Sequence, residues 1–319
     1  MMQVPVTVSI IIEWENATRI GAARALAMLE RLQEQIVGAK ASGGWEFELL
    51  LLHHSEQGVP AEVAAAFASF DEIGVSGRLI ALDTSDYYRQ KNAGADHATG
   101  ELALFLDSDV IPRSGWLEKM LAAMRDPGVA LVGGSTTIEG PGWYDRAMAL
   151  TWIFPIPNAG RGLQPSTFFY ANNFIVRSHV FAANRFPDTR QFRGQCSALA
   201  DQLVSKGLTM RMHHAAIVGH PPPLARHLLQ RGYLSGGDLL TWLKMSQPKG
   251  AAWRGTKIVA HDLLSALRQI REHAGGTGIG LIGGLGAALL AAVYNAARYL
   301  GFWVHLAAPV HRASSSHSD

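Results

Sequence analysis

"GELALFLDSDVIPRSGWLEKM", residues 100–120, is the stretch on which the fold turns. Every residue from Leu102 to Leu106 is apolar, and the run stops at Asp107-Ser108-Asp109. A short unbroken apolar run bounded by turn formers is the pattern of a strand buried on both faces; a half-exposed strand alternates instead. Helical spacing then starts at Trp116 and continues to Arg125, with Ser114 as the expected N-cap. The same alternation extends outward. Residues 6–12, 47–52, 78–82 and 129–133 read as further buried strands, and 215–218 as another. Residues 18–37, 61–70 and 85–98 read as helices between them, the first capped by Thr18. Apolar strands alternating with helices predict an α/β fold with a Rossmann-like, mostly parallel sheet and helices on both faces. Ligands of such sheets bind beyond the C-terminal ends of the strands. Asp107 and Asp109 fall at such an end.

Composition bounds the rest. The chain has 319 residues, 48% of them hydrophobic and 17% charged, against roughly 25% charged in an average soluble domain. That is a globular chain with enough length for a sizeable core, and it excludes a disordered one. The single Cys196 excludes an internal disulfide and fits a reducing compartment. The opening MMQVPVTVSIIIEWENA has no basic n-region and reads as a strand rather than a secretion signal. Residues 138–192, rich in Gly, Pro and aromatics, read as loops over the sheet edge, where a substrate would be selected.

Charge is unevenly spread. Residues 1–225 carry 18 Lys/Arg against 22 Asp/Glu, and residues 226–319 carry 10 against 4. The expected division is a ligand-binding domain over 1–225 and a basic, apolar helical C-terminal tail over 226–319. Residues 277–297 contain no charged side chain, which reaches the ~20 residues of a membrane span. They are mostly Ala and Gly, so a span, an interfacial or re-entrant helix and a helix packed in a soluble domain all stay open. Lys244, Lys249, Arg254, Lys257, Arg268 and Arg271 precede the stretch, and Tyr299 and Trp303 suit a headgroup level. Together they predict membrane-surface contact through 244–310 and a cytoplasmic protein attached to the cytoplasmic face. No zinc-finger spacing or aromatic-basic interleaving occurs, so nucleic acid is not an expected partner. Residues 314–319 read as a disordered end.

Two carboxylates at i and i+2 on an extended segment face the same side. Paired hard oxygen ligands suit Mg²⁺ or Mn²⁺, with substrate phosphates completing the shell; a solvated turn is the alternative. The wider segment KNAGADHATGELALFLDSDVIPRSGWLEKM, residues 91–120, resembles the core of the family 2 glycosyltransferases. Lys91-Asn92-Ala93-Gly94, Ala98-Thr99-Gly100-Glu101, Asp107-Ser108-Asp109 and Trp116-Leu117 match that pattern in order and spacing. A second block runs from Asn184-Arg185-Phe186-Pro187-Asp188 to Gly194-Gln195-Cys196, with Gly207 downstream, so the resemblance spans roughly residues 4–223.

The resemblance implies a GT-A fold and inverting, metal-dependent hexosyl transfer. The donor would be a nucleotide-diphospho-sugar and the acceptor a glycan; the basic, apolar tail suggests a lipid-linked or envelope molecule. By it, Asp107 would contact the ribose, Asp109 and His220 would hold the metal, and Lys91 stands near the nucleotide where the family has Arg. Asn92 and Gly94 would shape a turn beside the nucleotide, and Asn172 and Asn173 would line the acceptor cleft. Three positions depart from the pattern. Glu13-Trp14-Glu15-Asn16 replaces Pro-Thr-Tyr-Asn, which makes Glu13 a candidate acceptor for a nucleobase N–H. His53-His54-Ser55-Glu56 replaces the acidic pair that reads the base, so a uridine donor is not assumed. Gln195-Cys196 replaces the Glu-Asp that carries the general base, and Asp188 and Asp201 are weak substitutes. The alternative is therefore a catalytically weak or inactive nucleotide-sugar-binding homologue acting as a partner or regulator.

Overall fold

The expected strand at the centre of the chain is present as β4, Leu102–Asp107, with β1 (Val6–Glu13) beside it in parallel. Alternate residues of these strands enter two different cores. Ile10, Ile12, Leu104 and Leu106 belong to one, and Ile11, Ala103 and Phe105 to the other. Both faces are covered, which is why the runs are apolar without alternation. The computed structural model describes residues 5–154, 156–188, 194–246 and 249–307. They divide into two compact units, one ending at Pro222 and the other beginning at Pro223.

In the first unit the other strands are β2 (Trp45–His54), β3 (Ser76–Leu82), β5 (Ile111–Pro112), β6 (Val129–Ile138), β7 (Leu163–Pro165), β8 (Asn173–Arg177) and β9 (Thr209–His220). They form one sheet in the order β3-β2-β1-β4-β8-β6-β9-β5, with β7 on β9. β1 to β4 pair in parallel, as do β6 and β9. β8 is antiparallel to both β4 and β6, and β5 and β7 are antiparallel to β9. The sheet is thus mixed, with its long ladders parallel and its short ones antiparallel. The antiparallel part includes β8, which leaves the stretch read as loops and enters between β4 and β6. That stretch also holds further helices, among them α6 (Trp143–Thr151) and α7 (Ser178–Ala183). Its residues 155 and 189–192 lie outside the described ones.

The remaining helices of this unit are α1 (Ala17–Ile20), α2 (Ala22–Ala41), α3 (Ala61–Ala68), α4 (Tyr87–His97), α5 (Trp116–Ala123) and α8 (Gln195–Ser205). The helix expected over 18–37 is broken by Gly21, whose φ of 93° is open mainly to glycine. Asn16, not Thr18, precedes the first turn; the Thr18 hydroxyl donates to Glu15 O. Gly115, at φ 70°, takes the capping place expected for Ser114. Asp86 caps α4 by accepting from the amides of Tyr88 and Arg89.

Gly94 lies within α4 rather than in a turn, and it lets this helix seat on the sheet. An added Cβ would stand 2.5 Å from Ile11 Cγ2 and 2.9 Å from Leu52 Cδ1. Gly94→Ala is therefore expected to cost about 1–3 kcal/mol by overpacking. A shifted urea midpoint at unchanged slope would report it; an unshifted midpoint would mean that the helix can lift without penalty.

The second unit is helical: α9 (Leu228–Ser246), α10 (Ala251–His273) and α11 (Leu281–Ala307). α9 and α11 meet at glycines, Gly236 facing the Arg298 and Gly301 backbone and Gly301 facing Tyr233. Leu239, Leu240, Leu243, Val259 and Phe302 form its small core. Residues 308–310 of the expected membrane segment, and 314–319, lie outside the described residues.

Candidate functional site

The parallel register of β1 and β4 sets Glu13 directly beside Asp107 at the C-terminal edge of the sheet. Two carboxylates buried side by side need compensation, and α4 supplies it. Lys91, with no exposed surface, places Nζ 2.7 Å from Asp107 Oδ1. Tyr87 is one turn earlier on the same helix face. Its hydroxyl lies 2.8 and 3.0 Å from the two Asp107 oxygens. Asn16 Nδ2 donates to both Asp107 Oδ2 and Glu13 Oε1, 2.9 Å each, and Asn16 N donates to Glu13 Oε2. Burial raises the Asp107 carboxyl above its ordinary value, against the pull of Lys91. Burial and then the Asp107 charge push Glu13 well up. The Tyr87 phenol is also pushed well up, first by burial and then by Asp107.

Asp109 has a different setting. β4 ends at Asp107, so the two aspartates do not share one extended segment: Ser108 and Asp109 form the turn into β5. The antiparallel register Ile111↔Gly219 and Pro112↔Val218 then draws the end of β9 alongside that turn. Arg24 of α2 ties the two together, donating Nε to Asp109 O (2.5 Å) and a terminal nitrogen to Gly219 O (2.8 Å). As a result Asp109 Oδ2 stands 3.6 Å from His220 Nε2. His220 Nδ1 lies 2.5 Å from Pro221 O. A carbonyl can only accept, so Nδ1 carries the proton, and Nε2 is the ring nitrogen turned toward Asp109.

This pair fits a divalent cation. Asp109 Oδ1 is buried and accepts no hydrogen bond, and a buried carboxylate oxygen left without a partner calls for a positive centre. Among the described residues, no group of three or more His, Cys, Asp or Glu forms a metal cage. Mg²⁺ and Mn²⁺ do not require one, since they are often held by one or two side chains together with substrate phosphates. Pro221 O orients the imidazole and Arg24 holds the Asp109 backbone, so both side chains are fixed in place.

Other expected site residues are placed differently. Glu13 is fully buried with both oxygens turned to Asn16, so it braces the strand ends rather than offering a free edge. Asn92 donates to Phe186 O and accepts from Phe186 N, holding the loop after α7. Asn172 is at the site: its backbone O receives the Asp107 amide, its Oδ1 accepts from Thr136, and its Nδ2 is buried without a partner. Asn173 is not in the cluster. It spans the sheet interior, accepting from Trp116 Nε1 (2.7 Å) and donating to Ser135 O (3.0 Å).

Neither expected substitute for the base is poised for the task. Asp188 is exposed and bound in a fork by Arg89, at 2.8 to 3.0 Å. Asp201 lies on the exposed side of α8. Burial pushes the Cys196 thiol up to about 12, and its Sγ donates to Phe169 O. Native Cys196 is thus expected to alkylate at least a hundredfold more slowly at pH 8.5 than an ordinary thiol of pKa ~8.5. Iodoacetamide labelling with and without urea tests this. The sign for stability follows: the unfolded thiol ionises first, so this group's contribution is intact below pH ~8.5 and declines as pH rises toward 12. Fast labelling of the folded protein at pH 8.5 would contradict it.

Sequence reading missed Tyr87, Asn16 and Arg24. Tyr87 had a signal, its four-residue spacing from Lys91 on one helix. Arg24 had none, because its partners are backbone carbonyls fixed only by the β5–β9 register.

Comparisons with known proteins follow the same line. Residues 59–187 match the family model for glycosyl transferase family 2. The chain is 29% identical over 197 residues to the pre-mycofactocin glycosyltransferase of Mycobacterium tuberculosis, covering 53% of this chain and 42% of that protein. It is 29% identical over 200 residues to glycosyltransferase AglE of Haloferax volcanii, covering 62% of this chain and 64% of the relative. The chain therefore spans less than two thirds of the length of these relatives. Among solved structures its fold is similar to that of the mannosyltransferase PcManGT from Pyrobaculum calidifontis, in complex with GDP-Man and Mn²⁺. That likeness has a TM-score of 0.56 at 13% identity and covers 94% of this chain and 87% of that one. The match over residues 59–187, the glycosyltransferase relatives and the architecture agree: this chain resembles the glycosyl transferase family 2 proteins and has a GT-A fold.

Proposed function

We propose that this chain transfers a hexosyl group from a nucleotide-diphospho-sugar, with Mn²⁺ or Mg²⁺ held by Asp109 and His220, and with inversion at the anomeric carbon. The acceptor is a glycan or a lipid-linked or envelope molecule, and the basic helical unit attaches the protein to the cytoplasmic face of a membrane. The observation that carries the reading is the approach of Asp109 Oδ2 to His220 Nε2, beside a buried and unpartnered Asp109 Oδ1, at the C-terminal edge of the sheet. When bound there, the ion supplies Lewis-acid neutralisation of the departing diphosphate. The chain's own residues do the rest. Lys91, Tyr87 and Asn16 lock Asp107, and Arg24 fixes the Asp109 turn against β9. The spare amide hydrogens of Asn172 lie beside this edge and suit a ligand hydroxyl or phosphate oxygen. A Mn²⁺-bound mannosyltransferase of the same fold supports both donor class and metal.

A second reading rests on one observation. Gln195 is buried, the Cys196 thiol is held protonated, and Asp188 is tied to Arg89, so none of the three is a ready base. A donor-binding homologue with little turnover has the same constellation. The test is a panel of nucleotide-diphospho-sugars with Mn²⁺ or EDTA, following nucleoside diphosphate release with and without acceptors. Release that needs metal supports transfer. Metal-dependent nucleotide binding without release on any donor selects the second reading.

A further inference from the structure

α11 is the one helix among the described residues that is long and apolar enough to cross a bilayer. Its two sides differ sharply. Gly284, Ala287, Ala291, Asn295 and Phe302 are buried within the helical unit. Leu281, Leu285, Leu289 and Val293, at steps of four, are 85%, 66%, 66% and 41% exposed, and Ile282 (86%) and Leu300 (59%) extend the same face. Tyr299 and Trp303 lie at its C-terminal end and are exposed as well. A helix of 27 residues is about 40 Å long at ~1.5 Å per residue. An apolar strip of that length without a charge exceeds what a soluble surface leaves uncovered.

The charges decide what covers it. The sole Lys, Arg, Asp or Glu of α11, Arg298, faces inward and is paired at 2.5 Å with Asp262 of α10. α10 is itself a cationic amphipathic helix. Arg254, Lys257, Arg268 and Arg271 are exposed on it together with Trp253 and Leu264. A crossing α11 would have to break the Arg298–Asp262 pair or draw those cations into hydrocarbon, and both are costly. A second copy of the chain is disfavoured differently. Residues 223–307 hold nine Lys/Arg against three Asp/Glu, so two such units repel, whereas an anionic surface attracts them.

We propose that α11 lies flat in the plane of an anionic phospholipid surface. Its Leu281-to-Leu300 strip enters the acyl boundary, and the α10 cations take the headgroup charge. The proposal deepens the membrane attachment given above and is independent of sugar transfer.

The test is sedimentation of the full chain with vesicles of phosphatidylcholine alone or mixed with phosphatidylglycerol. The expected result is strong binding to the anionic vesicles, weaker binding to the neutral ones, and release by alkaline carbonate. Leu285→Glu/Leu289→Glu should lower partitioning at least tenfold with helix content unchanged. Arg268→Gln/Arg271→Gln should weaken binding to anionic vesicles roughly fivefold for each cation removed, and barely change binding to neutral ones. Retention in the carbonate pellet would mean a span and overturn the proposal. So would unchanged binding of Leu285→Glu/Leu289→Glu. So would a failure to bind any vesicle alongside a dimer that this double variant dissolves. The sugar-transfer reading is separately checked by Mn²⁺-dependent nucleotide binding of the same variants, which should persist whether or not vesicles are bound.

Discussion

Lys91→Met is expected to destabilise the first unit by about 3–5 kcal/mol, the range seen when one partner of a buried ion pair is removed. Methionine keeps much of the side-chain volume, and the Lys91 tip sits over the Tyr87 and Phe105 rings, Nζ 4.6 and 5.8 Å from their centroids, where a thioether also packs. Packing is therefore largely conserved and the loss is electrostatic. Asp107, 3% exposed, and Glu13, with no exposure, would stand adjacent with only Tyr87 and Asn16 as donors. Lys91→Arg should not rescue it, because a larger planar fork has no room in a pocket that leaves lysine no exposed surface. The informative partner is Asp107→Asn. The double variant should be more stable than Lys91→Met alone, giving a coupling energy of about 1–3 kcal/mol in a double-mutant cycle. Urea unfolding of the four proteins reads it. A Lys91→Met midpoint equal to that of the parent would show that solvent or backbone already compensates the pair.

That prediction concerns the part of the site that was legible. The buried strand 102–106, the aspartates ending it and the lysine on the preceding helix all carried local signals. The apolar run without alternation reports burial on both faces at 102–106, though not at 78–82, where β3 is the sheet's exposed edge, and helix spacing puts Tyr87 and Lys91 on one side. What was not legible depends on long-range register. NFIVR, residues 173–177, has no feature that tells an antiparallel strand from a parallel one, so β8 could not be placed. The meeting of Asp109 with His220 follows from β5, a strand of two residues pairing with the end of β9. Asn173 shows the converse error: an amide suited to a ligand is captured by Trp116 and the Ser135 carbonyl, because the sheet interior had to satisfy those groups first. Glu13 likewise looked like an open hydrogen-bond acceptor, and its register opposite Asp107 makes it part of a buried brace.

Asp109→Asn is expected to lower metal-dependent nucleotide release by roughly 10²–10³-fold, the usual effect of removing one electrostatic stabiliser from an active site. Folding should be untouched or slightly improved. Asp109 Oδ1 has no hydrogen-bond partner, and its Oδ2 lies 3.6 Å from His220 Nε2, beyond hydrogen-bond distance, so the native carboxylate contributes little to the metal-free protein. The metal-bound protein should differ. Mn²⁺ at a hundred times its dissociation constant would stabilise the parent by about 2.7 kcal/mol, and Asp109→Asn should lose most of that gain. His220→Ala should lose part of it. The double variant should be no worse than Asp109→Asn alone, because both side chains serve the same ion and their effects cannot add. Two measurements check this: the thermal midpoint with Mn²⁺ or EDTA, and nucleoside diphosphate release under the same conditions. If Asp109→Asn keeps both the Mn²⁺ shift and the release rate, the ion binds elsewhere. If the single losses of Asp109→Asn and His220→Ala add in full, the two residues serve separate purposes, and their 3.6 Å approach is a packing contact rather than a metal seat.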